Sequence, residues 1–426
     1  MLRLRHSDLA AAGFPVGVDP TRFRLRRDDE ACPIFIVGGA DGSFDPGDAI
    51  DFLAVPFTHP ETKLDVYVLD LVAPGLTPPR IPEIAGAPAF STAVVGASPH
   101  RIEFSAEDIY VLSLADGAGR DHWFDEFLAS PGSLELLVEL AAVAPAATPT
   151  LVELWLEGWS EDRLAPLDHL TRVLWDGVEI GVATANGSGP YCGTFSVPAG
   201  LVSNGSHLIT LEQELLDTPD VVFLDTLRVT YPRLYSAAAD RLRARIAGGS
   251  TVRFEGFTSD AISVYQRSGT DEPRRIVGAA VSSISPAEWA VECTLPHGGV
   301  VEAFTDAAAR GAVSLESRGT ETTLRAALDA DWIAICPDAF RSEILPLEAL
   351  RRATGLRTAV VSLEEIYDRF DGGRPTSDAI ERFIENALEW ARPPGPAFLL
   401  LVGDATYDPA GHLGNSPRQI LPTPLI

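Results

Sequence analysis

Two aspartates near the carboxyl end of the chain are the residues best placed to bind a ligand. Phe398-Leu-Leu-Leu-Val-Gly403 has the composition of a buried strand, and Asp404 and Asp408 follow it in a loop. Ligands of open parallel sheets bind beyond the carboxyl ends of the strands, and paired carboxylates suit Ca²⁺. Loop acids also commonly cap a turn or remain solvated. The sequence therefore predicts a cation or loop site at Asp404 and Asp408, with calcium as a possible ion; it predicts no cofactor and assigns no metal ligands.

The four cysteines do not form a recognisable thiol site. Cys32, Cys192, Cys293 and Cys336 lie far apart without a Cys-x-x-Cys pair, so neither a structural zinc site nor a disulfide framework is predicted. Cys336 ends the apolar run that starts at Trp332, where a cysteine is typical of core packing. A thiolate nucleophile needs a polar and partly open setting. We therefore interpret Cys336 as a core residue.

The remaining polar motifs favour structural roles. His412 lies in a Gly-rich loop after the last predicted strand, and the other histidines lack metal-ligand spacing. Asp41, Asp45 and Asp48 alternate with glycine, but the helical flanks and the closing glutamate of a calcium-binding EF-hand are absent. Aspartate and glycine in this pattern favour a hairpin turn.

Composition excludes several classes of partner. The chain has 426 residues, with 33 Lys plus Arg against 60 Asp plus Glu and a formal net charge of −27. No basic stripe could neutralise phosphates, so nucleic acid and anionic membranes are not expected partners. The sequence shows no signal-peptide pattern at its start and no apolar stretch long enough to span a membrane. At about 150 residues per domain, the length predicts about three domains.

The first two thirds of the chain read as β structure. Short apolar runs alternate with turn signals, and Asp176-Gly177 between two such runs predicts a tight hairpin. This pattern is typical of a sandwich of jelly-roll type. The predicted division comprises a β-rich N-terminal module, a β-sandwich, a small β module and an α/β domain: residues 1–145, 150–235, 245–297 and 300–426.

The last third has the pattern of a parallel α/β sheet. Apolar runs and amphipathic segments follow in the order β-α-β-α-α-β, which predicts helical crossovers between parallel strands. Pro346 is predicted to open the first helix, with Gly355 at its end. Ser362 and Glu365 form a Ser-x-x-Glu capping box for the next helix. The longest helix is predicted between Ser377 and Ala391, with one apolar stripe formed by Ile380, Phe383, Ile384, Ala387, Leu388 and Ala391.

Four segments of this region follow one another at characteristic spacing: Trp332-Ile-Ala-Ile-Cys-Pro-Asp-Ala-Phe340, Gly355-Leu-Arg-Thr-Ala-Val-Val-Ser-Leu-Glu-Glu-Ile-Tyr-Asp-Arg-Phe-Asp-Gly-Gly373, Asp378-Ala-Ile-Glu-Arg-Phe-Ile384 and Phe398-Leu-Leu-Leu-Val-Gly-Asp-Ala-Thr-Tyr-Asp408. Their order resembles the opening of gingipain-type cysteine peptidase domains. The segment Val37–Phe52 resembles the leader region of the secreted branch, which includes the signal peptidase of the type IX secretion system.

The resemblance implies a caspase-like α/β domain, of which this chain holds the first part, and a cysteine-type endopeptidase acting on proteins or peptides outside the cell or at a bacterial cell surface. In the family, the catalytic His stands in a Gly-His motif and the Cys in an Ala-Cys motif. Both motifs lie downstream of the Leu-Val-Gly-Asp strand and are expected beyond residue 426. No residue of this chain is therefore expected to be catalytic, and the chain alone is expected to be inactive.

A non-catalytic function is the alternative. The β-rich majority and the acidic charge fit an extracellular adhesion or glycan-binding protein with a degenerate peptidase domain. Trp155, Trp159 and Trp175 could stack on sugars, although core packing is the more frequent role of tryptophan in a strand.

Overall fold

The structure is a computed structural model of the chain. It describes residues 1–59, 61–88, 96–111, 114, 122–145, 148–161, 166–214, 219–269, 272–318, 322–327, 329–390, 395–406, 408–409, 411–412 and 420–423. The chain forms two compact units. Unit 1 combines Met1–Ile81 with Arg310–Ile426, and unit 2 comprises Pro82–Ala309.

The N-terminal part of unit 1 contains two three-stranded antiparallel sheets, β1-β5-β4 and β3-β2-β6. Its elements are β1 (Leu2–Arg5), α1 (His6–Ala11), β2 (Phe23–Arg27), β3 (Glu30–Cys32), β4 (Ile34–Val37), β5 (Ala49–Phe52) and β6 (Val68–Leu71). Phe23, Ile34 and Ile50 are fully buried in its core. The buried Arg3 guanidinium pairs with Asp51, Nε to Oδ1, at 2.7 Å.

The predicted Asp-rich hairpin turn is confirmed. β4 and β5 pair antiparallel around it. Asp41 Oδ1 accepts a hydrogen bond from the Ser43 amide at 3.0 Å, and Asp48 Oδ2 accepts one from the Asp45 amide at 2.8 Å. Asp41 and Asp48 therefore stabilise the turn by accepting hydrogen bonds from its own backbone amides.

Unit 2 begins with a two-sheet sandwich. In chain order, the first strands of unit 2 are β7 (Glu83–Ala85), β8 (Ala97–Phe104), β9 (Ile109–Tyr110), β10 (Trp123–Phe124), β11 (Glu126–Ala129), β12 (Gly132–Leu140), β13 (Thr150–Gly158), β14 (His169–Trp175), β15 (Val178–Ala185), β16 (Gly189–Val197), β17 (Gly205–Gln213) and β18 (Val221–Leu234). Of these, β9 and β10 pair with each other, and β7 belongs to a later sheet. One sheet has the order β11-β18-β13-β16 with β8 also paired to β18, and the other has the order β12-β17-β14-β15. Alternating residues such as Val152, Leu154 and Ile209 are fully buried between them.

The sandwich uses strands from both sides of residue 150. β8, β11 and β12 precede that position and pair with β18 or β17. The hairpin predicted at Asp176-Gly177 is confirmed, since Trp175 and Val178 face each other across a two-residue turn with φ of 48° and 78°. The jelly-roll topology and the four-module division stay predictions.

The second part of unit 2 contains two further sheets, β19-β25-β21-β22-β7 and β20-β24-β23. Their strands are β19 (Arg241–Ile246), β20 (Ser250–Phe257), β21 (Ile262–Arg267), β22 (Arg274–Val277), β23 (Ala280–Ser285), β24 (Glu288–Leu295) and β25 (Gly299–Thr305). Phe254, Phe257 and Val291 are fully buried in a core of their own.

The C-terminal part of unit 1 is a three-stranded parallel sheet with helices, in the order β27-β26-β28. Its elements are α2 (Leu324–Ala327), β26 (Trp332–Cys336), α3 (Arg341–Ala353), β27 (Thr358–Ser362), α4 (Leu363–Phe370), α5 (Ser377–Trp390) and β28 (Phe398–Leu401). The predicted β-α-β-α-α-β order is confirmed. No helix within the described residues is long and apolar enough to cross a membrane.

Three local predictions in this region are wrong. The first helix begins at Arg341 and contains Pro346, whose ring removes one backbone donor without ending the helix. Leu388 lies on the exposed side of α5 rather than in its apolar stripe, and β28 is not buried. Phe398 is 54% exposed, and β28 pairs with β26 at an edge of the described sheet.

Candidate functional site

The candidate site lies at the carboxyl edge of the parallel sheet. β26 and β28 run parallel and in register, so that Ile335 faces Leu401 where the strands end. On the other side of β26, Cys336 faces Ser362. This is the edge at which the predicted pair Asp404 and Asp408 follows β28, and the edge where ligands of such sheets bind.

Asp404 is exposed and organises the loop through its backbone. Its carbonyl oxygen accepts hydrogen bonds from the amides of Ile420 and Leu421, each at 3.1 Å. Its Oδ1 accepts a hydrogen bond from the Ala405 amide at 2.9 Å. Asp404 thereby fastens the returning segment 420–421 to the end of β28.

Asp408 is buried and closes a shorter turn. Its Oδ1 accepts a hydrogen bond from the His412 amide at 2.8 Å, and its carbonyl oxygen accepts one from Gly411 at 3.2 Å. The two aspartates therefore differ in exposure and in role. Among the described residues no group of three His, Cys, Asp or Glu side chains could hold a metal ion, and the calcium site stays a prediction.

Gly403 sets the approach of the returning segment. Its φ is +147°, and a Cβ at this position would lie 2.9 Å from Ile420 Cγ2 and 3.0 Å from Leu421 Cβ. A larger residue would push segment 420–421 away from β28. The Val-Gly-Asp sequence thus combines a close backbone contact at the glycine with a carbonyl acceptor at the aspartate.

Cys336 is a packing residue, as predicted. Its side chain is buried beside Trp332, Ala334 and Val360, and its thiol donates to the Pro337 carbonyl oxygen at 3.3 Å. Burial raises the pKa of the Cys336 thiol, and the negative charge of Glu364 adds to the effect. The thiol therefore stays protonated at neutral pH, which disfavours nucleophilic attack.

The capping box predicted at Ser362 and Glu365 is half confirmed. Ser362 Oγ accepts a hydrogen bond from the Glu365 amide at 3.2 Å. The Glu365 carboxylate does not return to Ser362; Oε2 accepts from the amide and hydroxyl of Thr323, at 2.6 and 2.7 Å. The Ser362 amide donates to Thr323 Oγ1 at 2.9 Å. Thr323 thus replaces the reciprocal half of the box, a contact that no local pattern signals.

A Ser-His-Asp arrangement in the sandwich of unit 2 does not have catalytic geometry. His207 Nδ1 lies 2.7 Å from Asp176 Oδ2, and Nε2 lies 3.5 Å from Ser203 Oγ. Nε2 is closer, at 2.9 Å, to the backbone oxygen of Ser203 than to its hydroxyl. The ring therefore faces the main chain of Ser203, and these contacts join the β14–β15 turn to the loop before β17.

The tryptophans of the glycan-binding alternative do not form a common platform. Trp175 is fully buried, and its Nε1 donates to the Leu201 carbonyl oxygen at 3.1 Å. The Arg228 guanidinium lies over the ring of Trp155 at 4.4 Å. Trp159 is partly exposed and packs edge-on against Phe223. Two of the three rings are thus already covered by protein groups.

Comparison with known proteins agrees with this α/β arrangement. Residues 325–424, which span β26, β27 and β28, match the model of peptidase family C25. The predicted resemblance to gingipain-type cysteine peptidases is therefore confirmed. No curated protein matches the chain.

A solved structure extends the likeness to most of the chain. It is dimeric latent PorU from Porphyromonas gingivalis, with a TM-score of 0.63 and 15% identity. The match covers 96% of this chain and 41% of that chain, so this chain spans less than half the length of PorU. Particles derived from infectious bursal virus match with 13% identity, covering 78% of this chain and 69% of theirs, but a TM-score of 0.20 carries no argument.

Proposed function

We propose that this chain is the N-terminal portion of a secreted gingipain-like cysteine endopeptidase acting on protein or peptide substrates, with the catalytic His and Cys beyond residue 426. The observation that carries the proposal is the parallel sheet β27-β26-β28 within the segment that matches family C25. The likeness of the fold to latent PorU over 96% of the chain supports the inclusion of the β-rich modules.

The chemistry proposed for the whole enzyme is attack of a thiolate on a peptide carbonyl. A histidine would take the thiol proton and later protonate the leaving amine, while backbone amides would stabilise the oxyanion. In this chain, the α/β segment would supply the strand edge that positions those groups. The caspase-like arrangement of the complete domain and its location outside the cell or at a bacterial surface belong to the same proposal.

The decisive experiment compares two lengths of polypeptide. The 426-residue chain is expected to show no peptidase activity, whereas the protein from a reading frame extended past Ile426 is expected to cleave peptides in a thiol-sensitive manner. The extension should contain a Gly-His motif followed by an Ala-Cys motif. An open extension that lacks both motifs would argue against the proposal.

Two matched cysteine variants test the assignment within the extended protein. Replacing the cysteine of the Ala-Cys motif by alanine should abolish cleavage, because it removes the nucleophile. Cys336→Ser should retain it, since the Cys336 thiol is buried and bonded to Pro337. Loss of activity in a folded Cys336→Ser variant would show that our assignment is wrong.

A further inference from the structure

The loop between α4 and α5 is contacted by residues that lie about 300 positions earlier in the chain. Arg374, in this loop, is buried, with a side chain only 5% exposed. Its NH2 donates to Asp28 Oδ2 at 2.7 Å, and its Nε donates to Asp65 Oδ1 at 2.9 Å. Asp28 and Arg374 are 346 residues apart in sequence.

In this contact the Arg374 guanidinium pairs with two carboxylates and lies over an aromatic ring. The Arg374 fork holds two carboxylates, and its Cζ lies 4.6 Å from the centre of the Phe57 ring. Arg27 Nε lies 2.8 Å from Asp65 Oδ2, so two arginines and two aspartates alternate. A planar guanidinium can satisfy two carboxylates and stack on a ring at once, which lysine cannot. We refer to Arg374, Asp28, Asp65 and Phe57 as the Arg374 cluster.

Two glycines beside the Arg374 cluster lie close to side chains of the N-terminal part. Gly372 and Gly373 both have positive φ, of +61° and +93°. A Cβ on Gly372 would lie 2.8 Å from Asp28 Oδ1, and one on Gly373 would lie 2.8 Å from Val66 Cγ1. A side chain at either position would therefore force Asp28 or Val66 to shift.

A third carboxylate from the N-terminal part, that of Glu61, contacts the first residue of α5. Buried Glu61 accepts a hydrogen bond at Oε2 from the Ser377 amide at 2.6 Å, and its Oε1 accepts from the Ser377 hydroxyl. These residues are 316 positions apart. The first turn of a helix has unpaired amides and a partial positive charge, so a carboxylate there is stabilising. Thr376 Oγ1 caps α5 locally by accepting a hydrogen bond from the Ala379 amide at 3.4 Å. Glu61 adds to this local cap a carboxylate from a remote segment.

From these contacts we propose that residues 1–81 are a permanent, non-covalently held part of the unit that carries the α/β segment, with Arg374 as the principal anchor. The partner that fits the α4–α5 loop is this chain's own N-terminal segment. A cut in the chain between the two parts would consequently leave them associated. Association of the two parts does not depend on peptidase activity.

The test introduces one cut in the full-length, folded chain. Residues 311–318 form an exposed loop, in which Val313 is 92% exposed. A recognition site for a specific protease inserted after Val313 separates a 1–313 fragment from a 314–426 fragment. After cleavage at micromolar concentration, we expect the fragments to elute together in size-exclusion chromatography.

Variants identify what holds the fragments together. Arg374→Ala should weaken their association at least tenfold and release the smaller fragment, and Arg374→Lys should give an intermediate dissociation constant. Arg24→Ala is the matched control, since Arg24 pairs with Asp70 within the N-terminal part at 2.7 Å. Circular dichroism before cleavage verifies folding, and Asp65→Asn replaces Arg374→Ala if that variant does not fold.

Association of the wild-type fragments together with release in the Arg374→Ala or Asp65→Asn variant supports the proposal. Separation of the wild-type fragments on cleavage overturns it. Equal retention in the Arg374→Ala and Arg24→Ala variants overturns the role of Arg374. Because elution is the readout, none of these results bears on the proposed peptidase function.

Discussion

An ion pair in each unit joins a different length of chain. In unit 2, His169 Nδ1 lies 2.6 Å from Asp220 Oδ1, and these fully buried residues are 51 positions apart within one sandwich. In unit 1, Arg374 joins Asp28 across 346 positions. The sandwich therefore supplies its own ion pair, whereas the α/β layer depends on the other end of the chain. A unit of the first kind can fold from a contiguous segment, but one of the second kind cannot.

The largest loss in the free energy of unfolding is expected for Asp220→Ala in the sandwich. Asp220 also accepts hydrogen bonds from the Leu170 amide at 3.0 Å and from Gln213 Nε2. Removing one partner of a buried pair leaves the other uncompensated, which costs about 3–5 kcal/mol. Hydrogen exchange of β14 and β18 amides should report this loss in the free energy of unfolding, while β26 and β27 amides stay unchanged. Equal destabilisation of both units would show that the contribution of Asp220 is not confined to the sandwich.

A somewhat smaller effect is expected for Arg374→Ala in unit 1. About half of the Asp28 side chain is exposed, so water can compensate for part of the lost contact. We expect a loss of about 2–4 kcal/mol in the free energy of unfolding of unit 1. Hydrogen exchange should locate the loss both in β2 and in α5, because the contact joins them. Protection lost in α5 alone would show that the N-terminal strands do not depend on it.

Gly403→Ala should disturb unit 1 locally. The new Cβ would meet Ile420 and Leu421, and its backbone conformation disfavours non-glycine residues, so about 1–3 kcal/mol is expected. Gly355→Ala is the matched control: Gly355 also has a positive φ, of +93°, but no atom lies within 4 Å of its added Cβ. The free energy of unfolding from urea denaturation should fall further for Gly403→Ala. Equal losses would indicate that backbone strain alone matters.

Sequence patterns identified the elements of both units but not what joins them. The alternation in β13, the Asp176-Gly177 turn and the parallel strand order follow from local periodicity and turn chemistry, and each is observed. The family resemblance was likewise visible from short motifs. The exposure of β28 could not be predicted from the sequence, because an apolar run is compatible with either a central or an edge strand.

The remote contacts lay beyond any sequence window. Glu61 lies in a loop whose composition indicates nothing about α5, and Arg374 reads as one polar residue in a Gly-rich turn. The sequence places Asp404 and Asp408 in the loop after β28, and their role as a cation site stays a prediction. Their different contacts involve the returning segment 420–421 and the His412 amide, which the sequence does not indicate. Contacts of this kind require the folded chain.

The smallest expected effect is a difference in pH dependence. Burial alone would lower the pKa of His169, but its hydrogen bond and ion pair with Asp220 outweigh burial and raise it. Its contribution to stability is therefore complete below the ordinary histidine pKa of about 6.5 and is lost as pH rises through the folded value. For Asp28, the hydrogen bond from Arg374 lowers the carboxyl pKa. That contribution is present above the ordinary value of about 3.9 and is lost as pH falls through the folded one.

His169 and Asp28 should therefore contribute to stability with opposite pH dependence. Burial lowers the pKa of His100 in unit 2, which opposes the contribution of His169, so each slope is the difference between the wild-type chain and its variant. Scanning calorimetry between pH 6 and 9 should show the His169-dependent part of the unit 2 midpoint falling as pH rises, while acidification below about pH 4 should lower the Asp28-dependent part of the unit 1 midpoint. His169→Gln should remove the first slope and Asp28→Asn should reduce the second, each leaving the other unit's profile intact. Since each substitution abolishes one titration and keeps a polar side chain in place, a slope that persists in its own variant would have to arise from another group.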